Sequence, residues 1–483
     1  MPSIIIIGAG FGGLGMAMEL QRNGFHEFTI LERATDLGGV WRENTYPGAA
    51  CDVPSPLYSF SYEPKPDWPQ RYSGRADIQA YIHAVARRHG LLDSIVFGAE
   101  VTEAQFDDHS GQWTVLTGDG TSRTADILIS AVGQLSRPAW PAIPGIDSFE
   151  GTSFHSALWD HEVPLAGKRV ACIGTGASAI QYIPEIQPQV EHLTLFQRTA
   201  AWVLPKFDTD YKPVHHRVLR KIPGMPLAER VSWWLIGETV ALGLVEFPGI
   251  VRVVSRIAEK HLEEQVPDPE LRAKLTPDYP IGCKRGLFSN DYFPALCEPN
   301  VDVVTTPISE IVPQGVRTAD GTVHAVDVIV YGTGFKGTEF LWPMKIRGRG
   351  GRNLADAWAD GAHAYLGMTV PEFPNLFLVY GPNTNLGVGS IIYMLESQAR
   401  YIRSAIQAIA ERPGSRLEVK SETERAYNEA LQERLALTPW NFCTSWYRNA
   451  AGKITNNWPG TTRSYRRRTR KVNLDDFYLT RVD

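Results

Sequence analysis

Two glycine-rich loops and a few charged residues are the parts of this chain whose types and spacing can do chemistry. Gly8-Ala9-Gly10-Phe11-Gly12-Gly13 follows the apolar run Ile4 to Ile7, and Gly174-Thr175-Gly176-Ala177-Ser178-Ala179 follows Val170 to Ile173. A Gly-x-Gly-x-x-Gly loop between a strand and a helix suits a dinucleotide. Its first glycine allows a tight turn, its second lets backbone approach a pyrophosphate, and its third lets the helix pack closely. The helix N-terminus then offers free N–H groups to the anion. Glu32, after the apolar run Phe28 to Leu31, is placed to accept hydrogen bonds from a ribose. The strand expected after the second loop, His192 to Phe196, ends instead in Gln197-Arg198-Thr199. A cation there suits the extra 2′-phosphate of NADPH, with a salt bridge to a neighbouring acid as the competing role. Two dinucleotide sites in one chain imply an electron relay.

The elements that must position these loops occur twice. Residues 3–33 read as a βαβ unit whose helix runs through Gln21. Gln112 to Thr117 and Ala125 to Ser130 flank Gly118-Asp119-Gly120 and read as a hairpin, its second strand leading to Gly133. Val326 to Gly334 echoes that strand after an Asp320-Gly321 turn. The second half is the longer, and its surplus reads as a helical insertion between about 207 and 283. Gly and Pro in Val132 to Pro141 and Tyr331 to Phe340 mark linkers on which the second domain would rotate. The expected class is α/β, with two Rossmann-like dinucleotide-binding domains, the second inserted in the first. The expected divisions are 1–138 and 341–483 for the first domain, 139–206 and 284–340 for the second, and 207–283 for the insertion.

Composition narrows the class. At 483 residues and 43% hydrophobic, the chain can bury several cores, and a net charge of -5 gives no global attraction to nucleic acid. The basic run Tyr465 to Lys471 reads as solvated surface, with a nucleotide-phosphate or partner role as the alternative. Five widely spaced cysteines, Cys51, Cys172, Cys283, Cys297 and Cys443, with no Cys-x-x-Cys pair, suggest neither a disulfide framework nor a zinc site. Trp233 to Val254 is strongly apolar, but Glu238, Glu246 and Pro248 interrupt it, so a buried helical hairpin is expected and not a span. A first strand at Ser3 or Ile4 makes the cytoplasm the expected location.

Between the two loops, Phe149 to Asp160 reads Phe-x-Gly-x-x-x-His-x-x-x-Trp-Asp. This spacing resembles the fingerprint of the type I Baeyer–Villiger monooxygenases, a class B flavoprotein monooxygenase family. Gly39, Trp41, Tyr46, Pro47, Gly48 and Asp52 resemble a second, longer pattern of that family, and Tyr279 to Arg285 a third. The likeness runs from Ile4 to about Trp458. It implies FAD at the first loop, held by Gly8, Gly10, Phe11, Gly13, Glu32, Gly39, Val40, Trp41, Asp52, Tyr58 and Val101. It implies NADPH at the second, held by Gly174, Thr175, Gly176, Ala177, Ser178, Arg198, Thr199 and Lys284. Trp446 either reaches the nicotinamide cofactor from a mobile loop or fills a core. Arg285 and Asp52 become the catalytic pair, with Asp52 holding the arginine. The run Gly381 to Ser390 would line the flavin face, with Val388 where many relatives carry His, and His155 would link backbone between the domains instead of acting as a base.

The implied activity is FAD- and NADPH-dependent insertion of one oxygen atom of O2 beside a ketone carbonyl, through a C4a-peroxyflavin, to give an ester or lactone. The implied partners are O2 and a small-molecule ketone, with no nucleic acid, no transmembrane segment and no metal. The rivals are an N- or S-oxygenating flavin monooxygenase, against which Trp159, Asp160, Asp52 and Arg285 argue, and, outside enzymes, a flavin-binding redox sensor.

Overall fold

The structure, a computed structural model, describes residues 1–481. Ile4–Ile7 and Ile127–Ser130 are buried along their whole lengths. Strands apolar on both sides belong in a parallel sheet covered on both faces. They sit in such a sheet, ordered Leu376–Leu378, Ile127–Ser130, Ile4–Ile7, Phe28–Leu31, Ile95–Val96, with every pair parallel. Alternate side chains face opposite ways along a strand. Thus Ile4 and Ile6 enter one core with the helix Phe11–Gln21, while Ile5 and Ile7 enter another with Trp113 and Phe373.

The second half repeats the plan. Its parallel sheet runs Val301–Val304, His192–Phe196, Arg169–Ile173, Val328–Tyr331, Thr152–His155. Val170 and Cys172 face one core with the helix Ala179–Ile186, and Ala171 and Ile173 face the other. In both sheets the loop-bearing strand lies at the centre, its βαβ partner on one side and the strand after the hairpin on the other.

Each hairpin differs from the expectation in its return strand. Gln112–Thr117 pairs antiparallel with Ser122–Ala125, and Ile127–Ser130 leaves for the parallel sheet. Asp126 makes the break. Its carboxylate accepts from Ser3 N at 2.7 Å and Ser3 Oγ at 2.8 Å, which anchors the chain where it changes sheets. The second half does the same with Val323–Ala325 and Val328–Tyr331, around Asp327 and Arg169.

Between the two sheets the chain crosses twice, and the crossings are bonded to each other. Ala139 N donates to Gly334 O at 2.8 Å, Lys336 N to Arg137 O at 3.0 Å, and Thr333 Oγ1 to Ala139 O at 2.6 Å. Gly133 and Gly334 take φ of +72° and +82° beside these bonds, in open space. That left-handed backbone suits glycine. His155 is fully buried at this junction, its Nδ1 accepting from Ala157 N at 3.1 Å and its ring against Trp140 and Phe335.

Four helices follow the strand Val203–Leu204: Pro213–Lys221, Met225–Val245, Pro248–Gln265 and Pro269–Leu275. The expectation of a buried hairpin fails here. Met225–Val245 buries only Glu238, Ala241 and Gly243, leaving Leu227, Leu235 and Ile236 more than half exposed. A helix apolar all round carries no stripe to say which face turns inward, and small residues make its inner contacts. Among the described residues no helix is long and apolar enough to cross a membrane.

Candidate active site

The two glycine loops open onto one cavity of 1410 Å³ lying between the sheets. Gly8, at φ +102°, could carry no Cβ, which would meet Ala131 O at 2.7 Å. Gly13 lies beneath the loop, where a Cβ would stand 1.9 Å from Gly8 O. That absence of side chain brings the helix Phe11–Gln21 against the strand. The helix begins at Gly10 with no side-chain cap and no acid in its first turn, so its N–H groups are left for an anion from the cavity. Glu32, 5% exposed, accepts from Ala9 N at 2.8 Å and Ala34 N at 3.0 Å, and its carboxylate still lines the cavity.

The second loop is built alike. A Cβ on Gly174, at φ +113°, would meet Gly332 O at 2.4 Å, and nothing lies within 4 Å of one on Gly176. The salt bridge weighed for Arg198 does not form: among the described residues it has no carboxylate partner, and it lines the cavity with Lys284. Burial and the neighbouring Arg198 charge both push Lys284 below the ordinary lysine pKa. Two cations held together at cost suit an anion.

Between the loops, Arg285 Nη2 donates to Asp52 Oδ2 at 3.0 Å. Burial opposes the arginine's charge. Asp52, through its charge and its hydrogen bond, outweighs it and holds the guanidinium above its usual pKa. Asp52 is 8% exposed and Arg285 37%, so the carboxylate is the anchor and the guanidinium the end that faces the cavity. Behind Asp52, Gln181 Nε2 donates to Oδ1 at 3.4 Å and to Ala50 O at 3.0 Å, and Gln181 Oε1 accepts from the Tyr46 hydroxyl at 3.0 Å. The pair is therefore assembled from three parts of the chain: a loop after the first sheet's second strand, the helix of the second loop, and the segment after the helical hairpin.

Every residue assigned from the sequence to FAD, NADPH or catalysis lines this cavity except Gly13, which packs under the loop. Trp41 Nε1 donates to the Tyr58 hydroxyl at 3.2 Å, and Val40 begins the short helix Val40–Glu43. Trp446 is partly buried, packed on Gly337 in the second crossing, so it belongs both to a small core and to the cavity wall. Of the run 381–390, Asn385, Leu386 and Gly389 reach the wall. Trp159 and Asp160 do not. Trp159 packs on Phe154 and Tyr182 inside the second half, and exposed Asp160 caps a turn at Glu162 N.

Sequence reasoning missed Gln181, Gln134 and Tyr380. Gln181 sits two residues beyond the second loop, where no spacing rule marks it. Gln134 lines the cavity with its Nε2 donated to Tyr380 O at 3.1 Å and its buried Oε1 without a protein partner. Tyr380 lines the cavity at φ +63°, a region L residues rarely adopt. The cysteine reading is also corrected. Cys283 and Cys443, 160 residues apart, form a disulfide that joins the segment before Lys284 to the loop before Trp446. Only the tertiary fold brings so distant a pair together, so spacing could not reveal it.

Comparison with known proteins agrees with this geometry. The profile of the flavin-binding monooxygenase-like family matches residues 2–240. A Baeyer–Villiger monooxygenase of Streptomyces coelicolor is 46% identical over 99% of this chain and 92% of its own length. One from Pseudomonas aeruginosa is 41% identical over 99% and 91%. Among solved structures, cyclohexanone monooxygenase from Rhodococcus sp. Phi1 bound to NADP+ superposes with a TM-score of 0.89 at 29% identity. OTEMO in complex with FAD and NADP gives 0.88 at 27%, and each alignment covers 99% of both chains. The fold and site thus define a two-dinucleotide flavoprotein monooxygenase. The chain belongs to the Baeyer–Villiger monooxygenase family.

Proposed function

We propose that this chain converts a ketone, O2, NADPH and a proton into an ester or lactone, water and NADP+, with Arg285 as the catalytic residue and Asp52 as the residue that positions it. The observation that carries the assignment is the 3.0 Å Arg285–Asp52 pair in the cavity that both glycine loops reach.

The donor set fits both cofactors. The uncapped helix Phe11–Gln21 and Glu32 suit the pyrophosphate and ribose of FAD, and the unpartnered Gln134 Oε1 leaves an acceptor for a bound group. Gly39, Val40, Trp41, Tyr58 and Val101 would complete that site. The loop Gly174 to Ser178, with Arg198, Thr199 and Lys284, suits NADPH. When bound, FAD reduced by NADPH supplies the activation of O2.

The chain's own residues do the rest. Arg285 stays charged at any physiological pH. It donates to the ketone oxygen and stabilises the negative charge that grows there when oxygen adds to the carbonyl carbon. Asp52 fixes the guanidinium, and Gln181 with Tyr46 fixes Asp52, so that donor is preorganised before substrate arrives. Trp446, packed on the crossing at Gly337, walls the cavity against water.

The test is turnover of a ketone panel by the purified protein with NADPH under 18O2. One labelled oxygen should appear in the ester, and Arg285→Ala should retain cofactor but lose about 100-fold or more in kcat, roughly 3 kcal/mol of barrier. Amine or sulfide oxidation without ester, unaffected by Arg285→Ala, would assign the chain to the N- or S-oxygenating rival.

A further inference from the structure

The helical hairpin that sequence reading expected to be buried instead carries a large share of the molecule's exposed apolar surface. On Met225–Val245, Leu227, Val231 and Leu235 stand one turn apart on a single face, 61%, 40% and 53% exposed. Val214 and Val218 continue this character on Pro213–Lys221, and Val253 and Ile257 on Pro248–Gln265. Exposed apolar side chains gathered on three helices that pack on one another mark a contact site.

Charge says what the contact is with. Arg217 and Lys221 stand beside the valines of the first helix, and Arg252 and Arg256 beside those of the third. All four are exposed, and among the described residues none makes an ion pair. The acids of the middle helix are turned the other way. Glu229 accepts from the Tyr211 hydroxyl, and Glu238 is buried, accepting from Thr462 N at 2.8 Å and Arg463 N at 3.2 Å. A chain of net charge -5 therefore presents exposed apolar side chains on three packed helices with four unpaired cations beside them, against which the third helix sets the exposed acid Glu259.

The inner face is already committed. Trp234 stacks on Tyr393 and donates from Nε1 to Thr462 Oγ1 at 3.0 Å, and Gly237 opposes Gly389, which lines the active cavity. The hairpin cannot roll over to bury its outer face, and none of its helices is suited to span a bilayer.

We propose that this outer face docks in the plane of an anionic lipid bilayer. Apolar side chains enter the headgroup boundary while arginines and lysine meet lipid phosphates. A two-fold contact with a second copy would gather both copies' sets of these cations into a single interface, which disfavours that occupant.

Vesicle flotation of the full-length holoprotein tests the assignment, with liposomes of phosphatidylcholine alone or mixed with phosphatidylglycerol. Partition should be about tenfold stronger or more into the anionic vesicles and weaken with added salt. Leu235→Ser with Val231→Ser, and separately Arg217→Glu with Lys221→Glu, should each weaken it by about tenfold or more while turnover of a water-soluble ketone stays at the wild-type level. No partition into anionic vesicles, or partition unchanged by both double variants, overturns the proposal. A protein that sediments as a dimer and becomes monomeric in the Leu235→Ser, Val231→Ser variant assigns the face to a second copy and overturns it equally.

Discussion

The two parallel sheets share a strand order and a glycine loop, yet they treat the charge at the end of the second strand in opposite ways. Glu32 is buried and satisfied by backbone N–H groups of its own sheet before any ligand arrives. Arg198 is exposed and unpaired among the described residues, and its neighbour Lys284 bears the strain of that company. The helices differ in the same sense. In the first half Gly13 lets the helix touch the loop carbonyl, whereas Ala179 fills the equivalent place in the second. In one half the charge at the strand end is satisfied by the protein's own groups. The other is completed by what binds, as expected of a cofactor that must enter and leave in each cycle.

The largest effect should come from trying to make the first half like the second. Gly13→Ala places a methyl 1.9 Å from a backbone oxygen that cannot swing away. A thermal melt should show a loss of about 3 kcal/mol, with FAD retention impaired. The reverse change, Ala179→Gly, should cost no more than about 1 kcal/mol. Equal losses at both sites would erase the distinction between the halves.

A smaller effect is expected at the open end. Arg198→Ala or Lys284→Ala should raise KM for NADPH by about tenfold, the worth of one charge-assisted hydrogen bond, while leaving KM for NADH and kcat nearly unchanged. An equal rise for NADH would place these cations elsewhere than at the 2′-phosphate.

Much of this contrast was legible in the sequence because short apolar runs and glycine spacing report local backbone demands. Phe28–Leu31 and His192–Phe196 are strands in the places read for them, and the loops after each lead strand face the cavity. What failed required knowledge of neighbours. The continuous run Ala125 to Ser130 hid a change of sheet at Asp126, because periodicity does not show which strand a strand pairs with. The hairpin of Trp233 to Val254 looked buried because hydrophobicity gives no hint that Glu238 and small residues would make its inner contacts. Gln181 and the Cys283–Cys443 bond depend on approaches between residues far apart in the chain, which composition and spacing do not encode.

The smallest effect sharpens the comparison at the junction, where only the second sheet ends in a buried histidine. Burial pushes the His155 pKa down to about 4, with the Gly334 backbone a weaker opposing influence. A histidine depressed in the folded state binds its proton more readily when unfolded, near 6.5. Its neutral form therefore costs nothing above pH 6.5, and stability is lost as pH falls from there toward 4. Between pH 7.5 and 5.5 this amounts to about 1 kcal/mol. His155→Asn keeps an acceptor for Ala157 N–H but does not titrate, so its melting temperature should fall less over that interval than the wild type's. An identical slope in both proteins would mean that the acid sensitivity lies outside the crossing, and that the second half owes its looser character to the cofactor site alone.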